Sequence, residues 1–164
     1  VKVSIQPNLQ CVCLVAETAK PHRQQMLCQM EKQGEGSILN VASSAGLLPA
    51  GPYMATYYAT KSYVTSLTRA VALELKEKKS NVYVGALCPG PVDTEFNKVA
   101  NVEFAIPSIT PTYCASYAIR KMEKRKIVIV PKNKMKVLAF ISRVLPQSLV
   151  IRMTARQQKK KRSW

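Results

Sequence analysis

Acidic residues are scarce in this sequence, and one end of the chain has almost none. The 164 residues include 9 Asp or Glu against 25 Lys or Arg, which gives a formal net charge of +16. Residues 115–164 contain 15 basic residues and one acidic residue, Glu123, whereas residues 1–114 are nearly balanced, with 10 basic and 8 acidic. Because the excess is confined to one end, the composition argues against a protein that binds nucleic acid over its whole surface.

Long apolar runs and a cysteine framework are also missing. No stretch reaches 18 apolar residues, which excludes a conventional membrane-spanning helix, and residues 1–20 lack the residue order of a signal peptide. The five cysteines are an odd number without disulfide spacing, and Cys11-x-Cys13 with His22 is not followed by a second ligand pair at zinc spacing. The pattern favours free thiols in a reducing cytoplasm, and it predicts no metal site.

What is present is the composition of one globular domain, with 47% hydrophobic and 21% charged residues. Three short apolar runs predict buried strands: residues 37–42, 81–87 and 126–130. A long helix is predicted over residues 54–79, and another over residues 110–124 with Thr110 or Thr112 as its N-cap. Strands that alternate with helices indicate an α/β fold, in which a parallel sheet is covered on both faces.

The carboxyl ends of the predicted strands form the edge where ligands bind in such sheets. The segment beginning at Ser43 and the loop of residues 89–94 should therefore lie together. Tyr57 and Lys61 are four residues apart in the long helix and share a face. An ammonium beside a phenol lowers the phenol pKa from about 10, so this tyrosine could exchange a proton near neutral pH. Taken alone, the pair is more simply explained as a solvated helix face, and only its combination with the two loops favours a catalytic role.

Three ordered motifs resemble those of the short-chain dehydrogenase/reductase family: residues 38–46, Tyr57-x-x-x-Lys61 and residues 88–94. The resemblance is close over residues 34–96 and looser elsewhere. It implies an NAD(P)-dependent oxidoreductase that interconverts carbonyls and alcohols, with NAD or NADP as cofactor and a small carbonyl or alcohol as substrate. It also implies that Tyr57 is the general acid/base and that Lys61 lowers its pKa and binds the nicotinamide ribose.

The resemblance implies two further sets of contacts. The nicotinamide end of the cofactor would be held by Tyr57 and Lys61 and by residues of the loop that follows the second predicted strand: Pro89, Gly90, Val92 and Thr94. Thr94 would contact the carboxamide. A serine would orient the substrate carbonyl. Counting thirteen residues back from the tyrosine favours Ser44, whereas strand register favours Ser43, which we prefer because a one-residue loop insertion is tolerated more readily than a slipped strand.

Other features of the family are missing. No glycine-rich turn for the pyrophosphate is present, and the first glycine of the sequence is Gly34. The expected helical Asn near Val15 and the Asn-Asn-Ala-Gly segment are absent as well. The chain therefore reads as the C-terminal half of such an enzyme, a partial Rossmann-like fold without the N-terminal βαβ cofactor half. It divides into an atypical leader (1–25), a catalytic region (26–131), and amphipathic helices with a basic tail (132–164).

The C-terminal third admits three interpretations. Two amphipathic helices are predicted, over residues 135–145 and 148–153, and a Lys/Arg run follows at residues 157–162. We favour a pair of substrate-pocket helices with a solvated tail. The second interpretation is peripheral membrane contact, and the third, least favoured because no aromatic stacking pattern accompanies the charge, is nucleic-acid binding. The rival to an enzyme is a truncated, non-catalytic chain that acts at most as an interaction or membrane-surface module. A homo-oligomer stays open.

Overall fold

The computed structural model describes residues 11–15, 20–93 and 107–161, with side chains described for residues 25–93 and 107–159. Within these ranges the chain forms four strands and five α-helices. The strands are β1 (Cys11–Val15), β2 (Ser37–Val41), β3 (Tyr83–Leu87) and β4 (Val128–Ile129). The helices are α1 (Lys20–Gln33), α2 (Ala55–Glu77), α3 (Pro111–Glu123), α4 (Asn133–Val144) and α5 (Gln147–Lys161), and a short 3-10 turn spans Ser44–Leu47.

The four strands form one parallel sheet in the order β1-β2-β3-β4. Three strands were predicted from the sequence, whereas the described residues form four. The additional strand, β1, lies within residues 1–25, where no strand was predicted, and it pairs with β2 along its whole length. Its run Cys-Val-Cys-Leu-Val has no glycine or proline directly beside it, and this removed the boundary signal that marks a short strand.

Helices cover both faces of the sheet, as the sequence predicts for a Rossmann-like three-layer fold. On one face Ile38 and Val84 pack with Met30 of α1 and Leu75 of α2. On the other face, residues of β2, β3 and β4 pack with the inner side of α3: Leu39, Tyr83, Leu87, Ile129, Cys114, Ala118 and Met122. Successive strand residues alternate between these two clusters, because neighbouring side chains of a strand point to opposite faces.

The helix ends follow ordinary capping chemistry. Thr110, rather than Thr112, caps α3: its hydroxyl accepts a hydrogen bond from the Tyr113 backbone N–H at 3.3 Å, and Pro111 occupies the first helical position. Helix α5 begins directly after Pro146 and continues to Lys161. Most of the Lys/Arg run therefore belongs to a helix rather than to a frayed tail.

Candidate functional site

The segments that follow β2 and β3 lie side by side at the carboxyl edge of the sheet. The backbone N–H of Ala42 donates to the Leu87 carbonyl at 2.8 Å, and that of Ser44 donates to the Pro89 carbonyl at 2.8 Å. These bonds extend the parallel pairing beyond the strands themselves. The serine segment and the start of the 89–94 loop are therefore neighbours, as their predicted places at the strand ends require.

Ser43 is buried and caps the 3-10 turn that follows β2. Its backbone is extended, and its Oγ accepts a hydrogen bond from the Ala45 N–H at 3.2 Å. Ser44 is the first residue of the turn and is half-buried. Because β2 ends at Val41, the alternation of strand faces does not decide between the two serines. A hydroxyl that accepts from a backbone N–H still has its own proton to donate, so Ser43 could donate to a carbonyl oxygen.

The 3-10 turn lies directly against the part of α2 that carries Lys61. A Cβ placed on Gly46 would come within 2.4 Å of the Lys61 carbonyl oxygen and 2.7 Å of Thr65 Oγ1. The Ser62 hydroxyl in turn donates to the Gly46 carbonyl at 3.4 Å. Only a residue without a side chain permits this approach. The glycine therefore sets the distance between the serine turn and the helix.

Tyr57 and Lys61 occupy successive turns of α2, and both are half-buried. The Lys61 Nζ donates to the carbonyl of Val41, the last residue of β2, at 3.4 Å. The same Nζ lies 5.7 Å from the centroid of the Tyr57 ring. A single lysine thus connects the helix that bears the tyrosine with the strand end that leads to Ser43. The three residues predicted to be catalytic are gathered around the end of β2.

Tyr58, which the sequence analysis did not single out, supports its neighbour from the buried side. Its ring meets the Tyr57 ring edge-to-face, with centroids 6.2 Å apart, and a Cβ on Gly51 would come within 2.2 Å of it. The Tyr58 hydroxyl accepts a hydrogen bond from Gln158 Nε2 at 3.1 Å. Burial raises the pKa of Tyr58, although the Gln158 hydrogen bond opposes that shift. No sequence signal pairs residues 100 positions apart, so this contact was missed.

The loop after β3 is attached at two points. Val92 forms an isolated parallel bridge with Ile109, and the Asp93 N–H donates to the Ile109 carbonyl at 2.9 Å. Gly90 faces the first turn of α4, where a Cβ would lie 3.1 Å from Met135 Cγ. Pro89, Gly90 and Val92 are half-buried. Thr94, the predicted carboxamide contact, lies outside the described residues.

Beneath the site lies the buried thiol of Cys88. Burial raises its pKa above the usual value, while a 3.8 Å contact with Thr65 Oγ1 opposes the shift. A buried thiol with a raised pKa stays protonated near neutral pH and is unreactive. In the part of the chain that the structure describes, no group of three or more His, Cys, Asp or Glu residues could hold a metal ion. The polar groups near this edge include the Ser43 hydroxyl and the Lys61 ammonium.

Comparison with known proteins identifies the family of this chain. The family model described as short chain dehydrogenase matches residues 3–103, well over half of the chain. The chain belongs to the short-chain dehydrogenase family. The match begins ahead of β1 and continues through α2 and β3, so it includes the strand that the sequence analysis did not predict.

A relative within the short-chain dehydrogenase family is the D-beta-hydroxybutyrate dehydrogenase of Rhizobium meliloti (strain 1021). The two are 46% identical over 65 residues, which are 40% of this chain and 24% of that protein. A solved structure concerned with 7beta-hydroxysteroid dehydrogenase stereoselectivity matches with a TM-score of 0.67 and 22% identity, covering 80% of this chain and 51% of that one.

A second structure, a short-chain dehydrogenase from Sphingobium yanoikuyae in complex with NADPH, matches with a TM-score of 0.60 and 23% identity. The matched region covers 74% of this chain and 49% of the Sphingobium yanoikuyae chain. At 22% and 23% identity, these two matches show that the fold is similar. The chain spans from about a quarter to about half the length of these proteins.

Proposed function

We propose that this chain carries the catalytic edge of an NAD(P)-dependent oxidoreductase that interconverts a carbonyl and an alcohol. Two findings support the proposal. The chain belongs to the short-chain dehydrogenase family, and Lys61 joins α2 to the end of β2 beside Tyr57, with Ser43 two residues beyond that strand end. The second finding carries the proposal, because it brings a proton donor, a cation and a hydroxyl to one strand end.

The residues present fit one end of a nicotinamide dinucleotide. Within the described residues Lys61 donates one long hydrogen bond, to the Val41 carbonyl at 3.4 Å, so its ammonium has further protons to donate to ribose hydroxyls. The half-buried loop of Pro89, Gly90 and Val92 would flank the nicotinamide, and Thr94 is proposed to contact its carboxamide. For the pyrophosphate the sequence has no glycine-rich turn, since its first glycine is Gly34. The fit therefore extends to the nicotinamide riboside and not to the phosphates.

The division of labour follows from the chemistry of these groups. A bound nicotinamide supplies or accepts the hydride. In the reducing direction Tyr57 donates its phenolic proton to the carbonyl oxygen, and in the oxidising direction it takes the proton back. Ser43 donates a hydrogen bond to the same oxygen and holds it in place. Lys61 binds the ribose and places a positive charge beside the Tyr57 ring.

Cofactor titration followed by a tyrosine substitution tests the proposal. NADH and NADPH fluorescence should report binding to the chain, and Tyr57→Phe should abolish turnover of simple ketones while leaving cofactor affinity nearly unchanged. Tyr113→Phe is the matched control, because Tyr113 is an exposed tyrosine on α3, and it should retain full turnover. Retained turnover in Tyr57→Phe contradicts the assignment. Failure of both cofactors to bind at millimolar concentration contradicts catalysis by this chain and favours the non-catalytic rival.

A further inference from the structure

Helix α4 exposes an apolar stripe to solvent. Val137, Phe140, Ile141 and Val144 are spaced by three and four residues and therefore lie on one side of the helix. Their exposed fractions are 57%, 69%, 43% and 72%. Met135 and Ser142, on the opposite side, are buried against the body of the protein. A helix packed on a globular core normally exposes its polar side, so the stripe needs a partner outside the described residues.

Basic residues flank the stripe on both sides. In helical projection Lys134 lies along one edge of the stripe, and Lys136 and Arg143 lie along the other. Residues 133–161 contain eight Lys or Arg and no Asp or Glu. Helix α5 repeats the pattern, because Leu149 and Met153 are exposed on it beside the exposed basic residues Arg152 and Arg156. A partner for this surface should therefore be both apolar and negatively charged.

A cavity of about 300 Å³ on the inward side of α4 also favours an anionic group. It lies between the 3-10 turn, α2 and α4, and Arg69 and Arg143 both line it, together with Ser142 and Gln147. Burial lowers the pKa of Arg69, and the charge of Arg143 lowers it further. No Asp or Glu is among the described residues that line the cavity. An anionic group placed there would relieve the repulsion between the two guanidinium groups.

We propose that α4 docks on an anionic membrane surface, with the stripe at the boundary between headgroups and acyl chains and the basic residues at the phospholipid phosphates. Such placement is typical of amphipathic helices with a basic polar face. None of the helices in the described ranges is long and apolar enough to cross a membrane, and docking in the surface plane requires no crossing. A second copy joined through the same face would bring like charges together. A nucleic acid would leave the stripe uncovered.

Vesicle sedimentation of the 164-residue chain tests this placement without any cofactor, so it fails or succeeds independently of the proposed enzyme activity. Vesicles of phosphatidylcholine are compared with vesicles that also contain phosphatidylglycerol. We expect the chain to sediment with the anionic vesicles, to do so less at high salt, and to stay in the supernatant with the neutral ones.

Two pairs of variants separate the apolar and the charged contributions. Phe140→Ser combined with Val144→Ser should lower the partition coefficient at least about tenfold, whereas Leu73→Ser, which alters an exposed leucine on α2, should not change it. Lys134→Gln should lower the coefficient about fivefold, whereas Lys76→Gln near the end of α2 should have little effect. Circular dichroism verifies that each variant folds. If the double serine variant does not fold, the comparison of Lys134→Gln with Lys76→Gln still tests the proposal.

Three outcomes would overturn the proposal. The first is absence of binding, or equal binding to neutral and anionic vesicles. The second is binding that the α4 variants leave unchanged, which would assign the affinity to charge elsewhere on the chain. The third is a change in oligomeric state on Phe140→Ser and Val144→Ser without loss of vesicle binding, which would make the stripe a contact between copies of this chain.

Discussion

The junction of β2 with α2 and the outer side of α4 are built in opposite ways. At the junction Gly46 is pressed against the Lys61 carbonyl, and the lysine side chain reaches back to Val41. On α4, Phe140 and Val144 are more than two-thirds exposed. The packing at the junction of β2 with α2 is therefore specified by contacts within the chain. The apolar stripe of α4 is little covered by the described residues, and the proposed membrane contact accounts for its exposure.

The two regions should differ most in how much stability is lost when an apolar side chain is shortened to alanine. Ile38 is fully buried between α1 and α2, so Ile38→Ala should lower the free energy of unfolding by about 3 kcal/mol through lost burial and the cavity left behind. Val137→Ala on the exposed stripe should change it by less than about 0.5 kcal/mol. Urea denaturation measures both. A loss at Val137 as large as that at Ile38 would mean that the stripe is already covered in solution.

The next largest loss of stability is expected at Gly46, which sets the distance between the serine turn and α2. Gly46→Ala forces the serine turn away from α2 and should cost about 2–3 kcal/mol, with a matching loss of any turnover. Gly34→Ala is the control. Gly34 has a φ of +81° but no atom within 4 Å of an added Cβ, so its cost should be about 1 kcal/mol with activity kept. Equal costs, or full activity in Gly46→Ala, would weaken the role given to the close approach.

A smaller effect is expected where α5 meets α2, at the hydrogen bond between Gln158 and Tyr58. Tyr58→Phe leaves the buried Gln158 amide without this acceptor and should cost about 1–2 kcal/mol. Gln158→Leu should show a similar loss. A double-mutant cycle measures the coupling between the two residues, which we expect to be about 1 kcal/mol. Additive losses would mean that α5 is not held through this bond.

The smallest effect is a pH dependence carried by Tyr58. Its pKa is raised from the usual value of 10.0 by burial, so the folded state keeps the phenolic proton to higher pH than the unfolded state. The resulting contribution to stability is complete below pH 10 and is lost as pH rises through the folded pKa. The stability advantage of the native chain over Tyr58→Phe, measured by urea denaturation, should therefore be smaller at about pH 10.5 than at about pH 8. A constant difference would contradict the shift.

Much of the junction could be predicted because its signals are local. Apolar runs bounded by glycine and proline marked β2 and β3, and the four-residue spacing of Tyr57 and Lys61 placed both on one side of α2. Strand β1 was missed because no such residues bound it. The Tyr58–Gln158 bond joins residues 100 positions apart, and only the folded chain brings them together.

The orientation of α4 illustrates a different limit. Its sequence pattern predicts one more apolar side and one more polar side, and the apolar side of a helix is normally the buried one. The structure instead buries Met135 and Ser142 and exposes Phe140 and Val144. Periodicity locates the sides of a helix, but it does not say which side meets the core when both carry apolar residues. In the structure Met135 enters the buried cluster that contains Val64 and Val130, and the neighbouring side of the helix stays exposed.

Titration of NADPH against Lys61→Met tests the central claim, that the end of β2 holds the nicotinamide riboside. Loss of charge-assisted hydrogen bonds from the ammonium should weaken binding about 10- to 100-fold. Lys76→Met, at the far end of the same helix, should bind as the native chain does. Nicotinamide fluorescence gives both affinities. Equal affinities in the two variants, or no binding to the native chain, would contradict the account.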